Sequence, residues 1–121
     1  MKVVSVVGWH NAGKTTVIER LVSALKSLGL RVATIKHTRE EIRMDAPGTD
    51  TWRFAEAGSD LVIIAGAKQT IVLERRAKEE TLEELLRRVP ADTDLVITEG
   101  YKKAQTPKIE VRRAEIGGEP E

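Results

Sequence analysis

Two glycines five positions apart, followed at once by a lysine and a threonine, constrain this chain more than any other feature. The segment Gly8-Trp9-His10-Asn11-Ala12-Gly13-Lys14-Thr15 fits the pattern G-x-x-x-x-G-K-[ST]. An almost unbroken apolar run, Val3, Val4, Val6 and Val7, leads into it and suits a strand covered on both faces in a parallel sheet. Beyond it Ile18, Leu21, Val22, Leu25 and Leu28 recur at helical spacing, and Gly29 stands where a left-handed helix cap is expected. Strand, glycine loop and helix therefore follow one another. In such a loop backbone N–H groups turn inward, and the dipole of the following helix adds to their pull on an anion.

The natural ligand of that arrangement is phosphate, and the pattern is that of a P-loop. Gly8, His10, Asn11, Ala12, Gly13, Lys14, Thr15 and Thr16 form the expected cradle. Lys14 would bridge the β- and γ-phosphates as a point charge, Thr15 would give its hydroxyl to Mg2+, and Thr16 would contact the α-phosphate. Chance occurrence of such a glycine turn in a chain of this composition is on the order of one in a few hundred.

The remaining elements are those of an α/β fold. Arg31 to Lys36 reads as a second strand, so the first forty residues make one βαβ unit with a right-handed crossover. A loop from His37 to Thr49 follows, and then a short helix that Asp50 can cap, running through Trp52, Phe54 and Ala57 to Gly58. Leu61 to Ala65 reads as another buried strand, with Gln69 to Leu73 hairpinning back beside it. Thr81 and Glu84 have capping-box spacing, and Leu82, Leu85, Leu86 and Val89 mark one helix face stopped by Pro90. Leu95 to Thr98 is the last strong strand, and Lys108 to Arg112 an edge strand. The expected architecture is a P-loop NTPase fold in three layers, α/β/α, with a mostly parallel sheet flanked by helices in one domain over residues 1–121.

Acidic partners for the metal are sought at strand ends. Asp94-Leu95-Val96-Ile97-Thr98-Glu99-Gly100 has the form of a buried strand beside the first one, with Glu99 emerging at its carboxyl end, where ligands sit in open α/β sheets. Glu99 is the leading metal carboxylate and, with Lys14, the leading candidate for a catalytic role; a surface pairing with Lys102 or Lys103 is the plain alternative. Asp45 lies in the loop after the second strand, where GTPases place a switch segment, and is the second metal candidate. Asp50 is read equally well as a helix cap. Lys36 and His37 leave the second strand at the same sheet edge, Lys36 to neutralise phosphate and His37 to orient a water or an anionic group, with solvent-facing loop polarity as the alternative.

Composition narrows the field. Twenty basic against nineteen acidic residues leave a formal charge of +1, which gives no electrostatic reason to expect nucleic acid or an anionic membrane as partner. The chain has no cysteine, so disulfides, thiolate metal sites and a cysteine nucleophile are excluded. No apolar run approaches the roughly 20 residues of a membrane span. The first strand begins at residue 2, which is read as leaving no room for a signal peptide, and a cytoplasmic location is expected.

Several blocks together resemble the molybdopterin-guanine dinucleotide biosynthesis protein B family. They are Gly8 to Thr16, Ile35-Lys36-His37-Thr38, Asp45-Ala46-Pro47-Gly48-Thr49-Asp50-Thr51-Trp52-Arg53, Ala57-Gly58, Thr98-Glu99-Gly100-Tyr101-Lys102 and Pro107-Lys108-Ile109-Glu110-Val111-Arg112, in family order over residues 1–112. The resemblance implies a dimer-forming P-loop protein related to dethiobiotin synthetase and signal-recognition GTPases. It would bind GTP with Mg2+, hydrolyse it weakly, and assist the guanylyltransferase that makes the guanine dinucleotide form of the molybdenum cofactor. It also implies that Lys36, His37 and the Asp45 to Asp50 loop surround the nucleotide, that Glu99 stands beside the metal, and that Tyr101 and Lys102 line the adjoining pocket or dimer surface.

Three departures qualify the likeness. Many relatives carry further histidines after the Lys-His pair, whereas Thr38, Arg39 and Glu40 follow here, and His10 and His37 are the only histidines. Relatives continue well beyond the Pro-Lys-Ile-Glu-Val-Arg block, where this chain has nine more residues. No Asn-Lys-x-Asp guanine-reading signature is present, so the residues alone leave GTP and ATP open. Beside the accessory GTP binder stand an ATP-dependent kinase or ligase of the dethiobiotin synthetase type, and a scaffold keeping its P-loop as a relic, against which the intact Lys14, Thr15 and Glu99 argue.

Overall fold

The computed structural model describes residues 1–9, 12–39 and 50–112. They divide into two compact units: one draws on residues 1–39 and the part of the chain from Leu82 onward, the other on the part between Glu40 and Thr81.

In the first unit β1 (Lys2–Gly8), α1 (Lys14–Ser27), β2 (Val32–Lys36), α3 (Leu82–Leu86), β5 (Leu95–Glu99) and β6 (Lys108–Val111) form a sheet with its helices. The sheet is four-stranded in the order β2-β5-β1-β6, and every pairing in it is parallel. The α/β class with a parallel sheet flanked by helices is thus as the sequence predicts, and β5 does lie against β1. It also separates β1 from β2, so the two strands of the first βαβ unit are not neighbours.

Side-chain alternation gives the sheet two distinct faces. Val4 and Val6 of β1, Leu95 and Ile97 of β5, Ile109 and Val111 of β6 and Val32 of β2 pack with Val17, Ile18, Leu21, Val22 and Leu25 of α1. Ala12, in the loop between β1 and α1, is buried in the same cluster and ties the loop to the core. The other face carries Ser5 and Thr98, register partners and both fully buried. Their hydroxyls are joined, Thr98 Oγ1 donating to Ser5 Oγ at 2.8 Å, and Ser5 Oγ lies 2.6 Å from Thr106 Oγ1.

Helix α1 stops as its sequence predicts. Gly29 has φ 80, its N–H bonds the Lys26 carbonyl at 3.0 Å and the Leu30 N–H reaches the Leu25 carbonyl at 3.2 Å, the double bond of a Schellman cap. Leu28, which the helical spacing places on the apolar face, is instead the cap residue and stands exposed. The Arg31 N–H donates to Asp94 Oδ2 at 2.8 Å, and the Asp94 N–H donates to the Arg31 carbonyl at 2.8 Å, fixing the start of β2 against that of β5. Helix α3 is shorter than its apolar pattern: after Leu86 the chain continues to Val89 in turn-type hydrogen bonds ahead of Pro90.

The second unit holds α2 (Asp50–Glu56), which starts at the residue expected to cap it, and an antiparallel hairpin of β3 (Leu61–Ala65) and β4 (Thr70–Glu74). The hairpin is the pairing anticipated, but the buried strand is not. Val62 is 8% exposed whereas Leu61 is 46% and Ile63 57% exposed, because a two-stranded sheet here covers one of its faces only. A continuous apolar run does not reveal how many of its faces are covered.

Candidate functional site

The loop between β1 and α1 owes its shape to two glycines with different tasks. Gly8 has φ 154, and a Cβ on it would lie 2.4 Å from the carbonyl oxygen of Val111, its register partner on β6. Its lack of a side chain lets β1 run against β6 up to the point where the loop begins. Gly13, φ 101 and ψ 20, is the N-cap of α1; among the described residues no atom lies within 4 Å of where its Cβ would stand, so there the requirement they show is the left-handed backbone.

No side chain caps α1 at Gly13. The first rung of the helix ladder is the Val17 N–H on the Gly13 carbonyl at 3.1 Å, so the amides of Lys14, Thr15 and Thr16 precede the ladder. Lys14 Nζ donates to the Gly8 carbonyl at 2.9 Å, folding its ammonium back across the mouth of the loop, and Thr15 and Thr16 are exposed beside it. This donor set fits a phosphate chain with a magnesium ion: amides and an ammonium for the anion, a hydroxyl for the cation. His10, Asn11 and Asp45, expected in the cradle and at the metal, lie outside the described residues, as does the side chain of Asp50.

Glu99 ends β5 at the same edge of the sheet. It pairs with Val6, two residues before Gly8, and the Gly100 N–H bonds the Val6 carbonyl at 3.0 Å. In the alternation Leu95, Ile97, Glu99 it belongs to the face that α1 covers, the side on which the loop helix sits. Its side chain is 15% exposed and its Oε2 lies 3.4 Å from Nζ of Lys36, its register partner on β2. The sequence offered Lys102 or Lys103 as surface partners; both are exposed in the turn after Gly100, and the lysine that reaches Glu99 comes from the neighbouring strand.

His37 follows directly. Its N–H donates to the Glu99 carbonyl at 3.2 Å, and its ring lies 5.1 Å from that of Tyr101, tilted by 49°. Tyr101 has φ 59, a left-handed conformation costly for a bulky residue, and follows Gly100 at φ 95. Two successive left-handed residues turn the chain sharply out of β5 and set the tyrosine against the histidine.

Among the expected site residues, then, Gly8, Ala12, Gly13, Lys14, Thr15, Thr16, Lys36, His37 and Glu99 all fall at or just after the carboxyl ends of β1, β2 and β5, in the loop that follows β1, or in the first turn of α1. The Ser5, Thr98 and Thr106 chain beneath them went unread, although polar residues interrupting two otherwise apolar strand runs were its visible signal. The Tyr101 backbone left no such signal.

The model of the family described as molybdopterin guanine dinucleotide synthesis protein B matches residues 3–121. The chain belongs to this family. It is 36% identical over 112 residues to a molybdopterin-guanine dinucleotide biosynthesis adapter protein of Haemophilus influenzae, covering 92% of this chain and 63% of that one. With the Escherichia coli adapter protein of the same description the identity is 33%, over 93% of this chain and 66% of that one. A crystal structure of MobB from Bacillus subtilis superposes with a TM-score of 0.75 at 35% identity, over 92% of this chain and 68% of that one. The chain spans less than two thirds of the length of those two curated relatives. Among its described residues no helix is long and apolar enough to cross a membrane.

Proposed function

We propose that this chain binds GTP with Mg2+ in the loop from Gly8 to Thr16 and acts as an accessory protein in making the guanine dinucleotide form of the molybdenum cofactor. The observation that carries the nucleotide part is the convergence at one sheet edge of a helix N-terminus begun by glycine, the folded-back ammonium of Lys14 and the largely buried carboxylate of Glu99. Adapter proteins for this dinucleotide are what the family's curated members are described as. The partner would be the guanylyltransferase, and the active form a homodimer of single P-loop domains, since a second subunit would close a phosphate site that one small domain leaves open to water.

The chain's own groups divide the work. Amides of the first turn of α1 and Lys14 bind and orient the phosphate chain, while the Thr15 hydroxyl and Glu99 hold the metal, Glu99 directly or through its water. A bound magnesium ion supplies charge neutralisation between the terminal phosphates. Hydrolysis is slow in this reading, because among the described residues neither a positioned base nor an arginine finger stands in the nucleotide site.

The test is the melting temperature of the full chain with GTP, ATP or a non-hydrolysable analogue, each with Mg2+, for wild type and Lys14→Ala. Ligand at a hundredfold its dissociation constant stabilises the native state by about 2.7 kcal/mol. A GTP-selective upward shift that Lys14→Ala abolishes supports the proposal. A preference for ATP favours a kinase or ligase of the dethiobiotin synthetase type, and no shift with any nucleotide overturns both.

A further inference from the structure

Glu99 and Lys36 end neighbouring parallel strands in register, so both belong to the sheet face that α1 covers, at the edge of the sheet from which the chain leaves β1. They differ sharply in setting. The Glu99 side chain is 15% exposed and held by strand pairing on both sides, whereas that of Lys36 is 70% exposed and reaches the carboxylate, 3.4 Å away, with only its ammonium end. A carboxylate so buried needs a positive partner. A lysine whose side chain stands largely in water is a partner that can leave, because its ammonium is rehydrated when the pair opens.

We infer that Lys36 is the resident counter-cation of Glu99, holding in the nucleotide-free chain the place that a divalent cation takes when a nucleotide is bound. Lysine and metal are alternative partners of one carboxylate. Lys36 thereby keeps Glu99 from repelling the incoming triphosphate and sets how much of the metal it takes to displace the ammonium. The inference rests on the Mg2+-nucleotide reading above and gives Lys36 a role toward the metal rather than only toward phosphate.

Competition of this kind makes an unusual prediction: removing a positive residue beside the site changes metal affinity upward through Glu99 and only through Glu99. The experiment measures Mn2+, a hard oxygen-seeking probe for the magnesium site, by its free-ion EPR signal, in the full chain saturated with a non-hydrolysable GTP analogue. Lys36→Met should bind Mn2+ about two- to fivefold more tightly than wild type, the range expected of an ion pair with one solvated partner. Glu99→Gln should bind it more weakly, and adding Lys36→Met to Glu99→Gln should change nothing further. Unchanged or weaker Mn2+ binding in Lys36→Met, or an equal effect in the Glu99→Gln background, overturns the inference while leaving nucleotide binding intact. Wild type that binds no more Mn2+ than Lys14→Ala shows instead that the underlying nucleotide reading has failed, and the inference falls with it. Lys36 stands largely in solvent, so Lys36→Met folds as wild type does, which an unchanged melting curve without nucleotide verifies.

Discussion

Gly8 lies so close to β6 that a methyl group on it would come within 2.4 Å of the Val111 carbonyl oxygen. The first glycine of the loop after β1 is therefore required by the sheet, whatever the loop binds. Gly8→Ala should lower stability in the absence of nucleotide by more than the ~1 kcal/mol that a residue in an uncomfortable backbone region costs, because a backbone atom of the neighbouring strand has to move. Gly13→Ala, at φ 101 with no described atom within 4 Å of the added Cβ, should cost only that ~1 kcal/mol of backbone strain. Urea denaturation of the two variants without ligand distinguishes them, and equal losses would mean that β6 yields easily.

The buried hydroxyls of Ser5, Thr98 and Thr106 should behave as one unit. Ser5→Ala leaves the Thr98 donor without its acceptor in a fully buried position, and should cost about 1–3 kcal/mol. Thr98→Val added to Ser5→Ala removes the stranded donor with little change of shape, and should recover part of the loss. A double-mutant cycle from denaturation midpoints reads this; strict additivity would show that the chain of bonds is not coupled.

Lys14→Ala should separate ligand binding from folding. Without nucleotide it loses the hydrogen bond to the Gly8 carbonyl, a change on the order of 1 kcal/mol. With GTP and Mg2+ it should lose the whole ligand-induced shift in melting temperature. A variant that melts well below wild type before any nucleotide is added would show that Lys14 acts mainly on the fold.

The hairpin should be tolerant on one face and sensitive on the other. Val62→Ala removes a buried side chain and should cost about 1.5–3 kcal/mol, whereas Ile63→Thr, at a position 57% exposed, should stay within about 0.5 kcal/mol. Thermal melting of dilute protein measures both. A large loss at Ile63 would mean that this face is covered in solution.

What the sequence by itself determined is what its local signals encode. The glycine spacing, the lysine and threonine after it, the 3.6-residue recurrence from Ile18 to Leu25 and the cap at Gly29 specified a strand, a glycine loop and a helix with its ending, because each depends on residues a few positions apart. The position of Glu99 at the end of an apolar strand was legible for the same reason. Only the tertiary structure decided which strands are neighbours. With β5 inserted between β1 and β2, Lys36 comes to lie against Glu99, 63 positions away, and Gly8 against Val111. Burial on one face of β3 rather than two was likewise decided by which elements pack there. Such pairings join residues far apart in the chain, and the pattern around each residue holds no record of which distant partner will meet it.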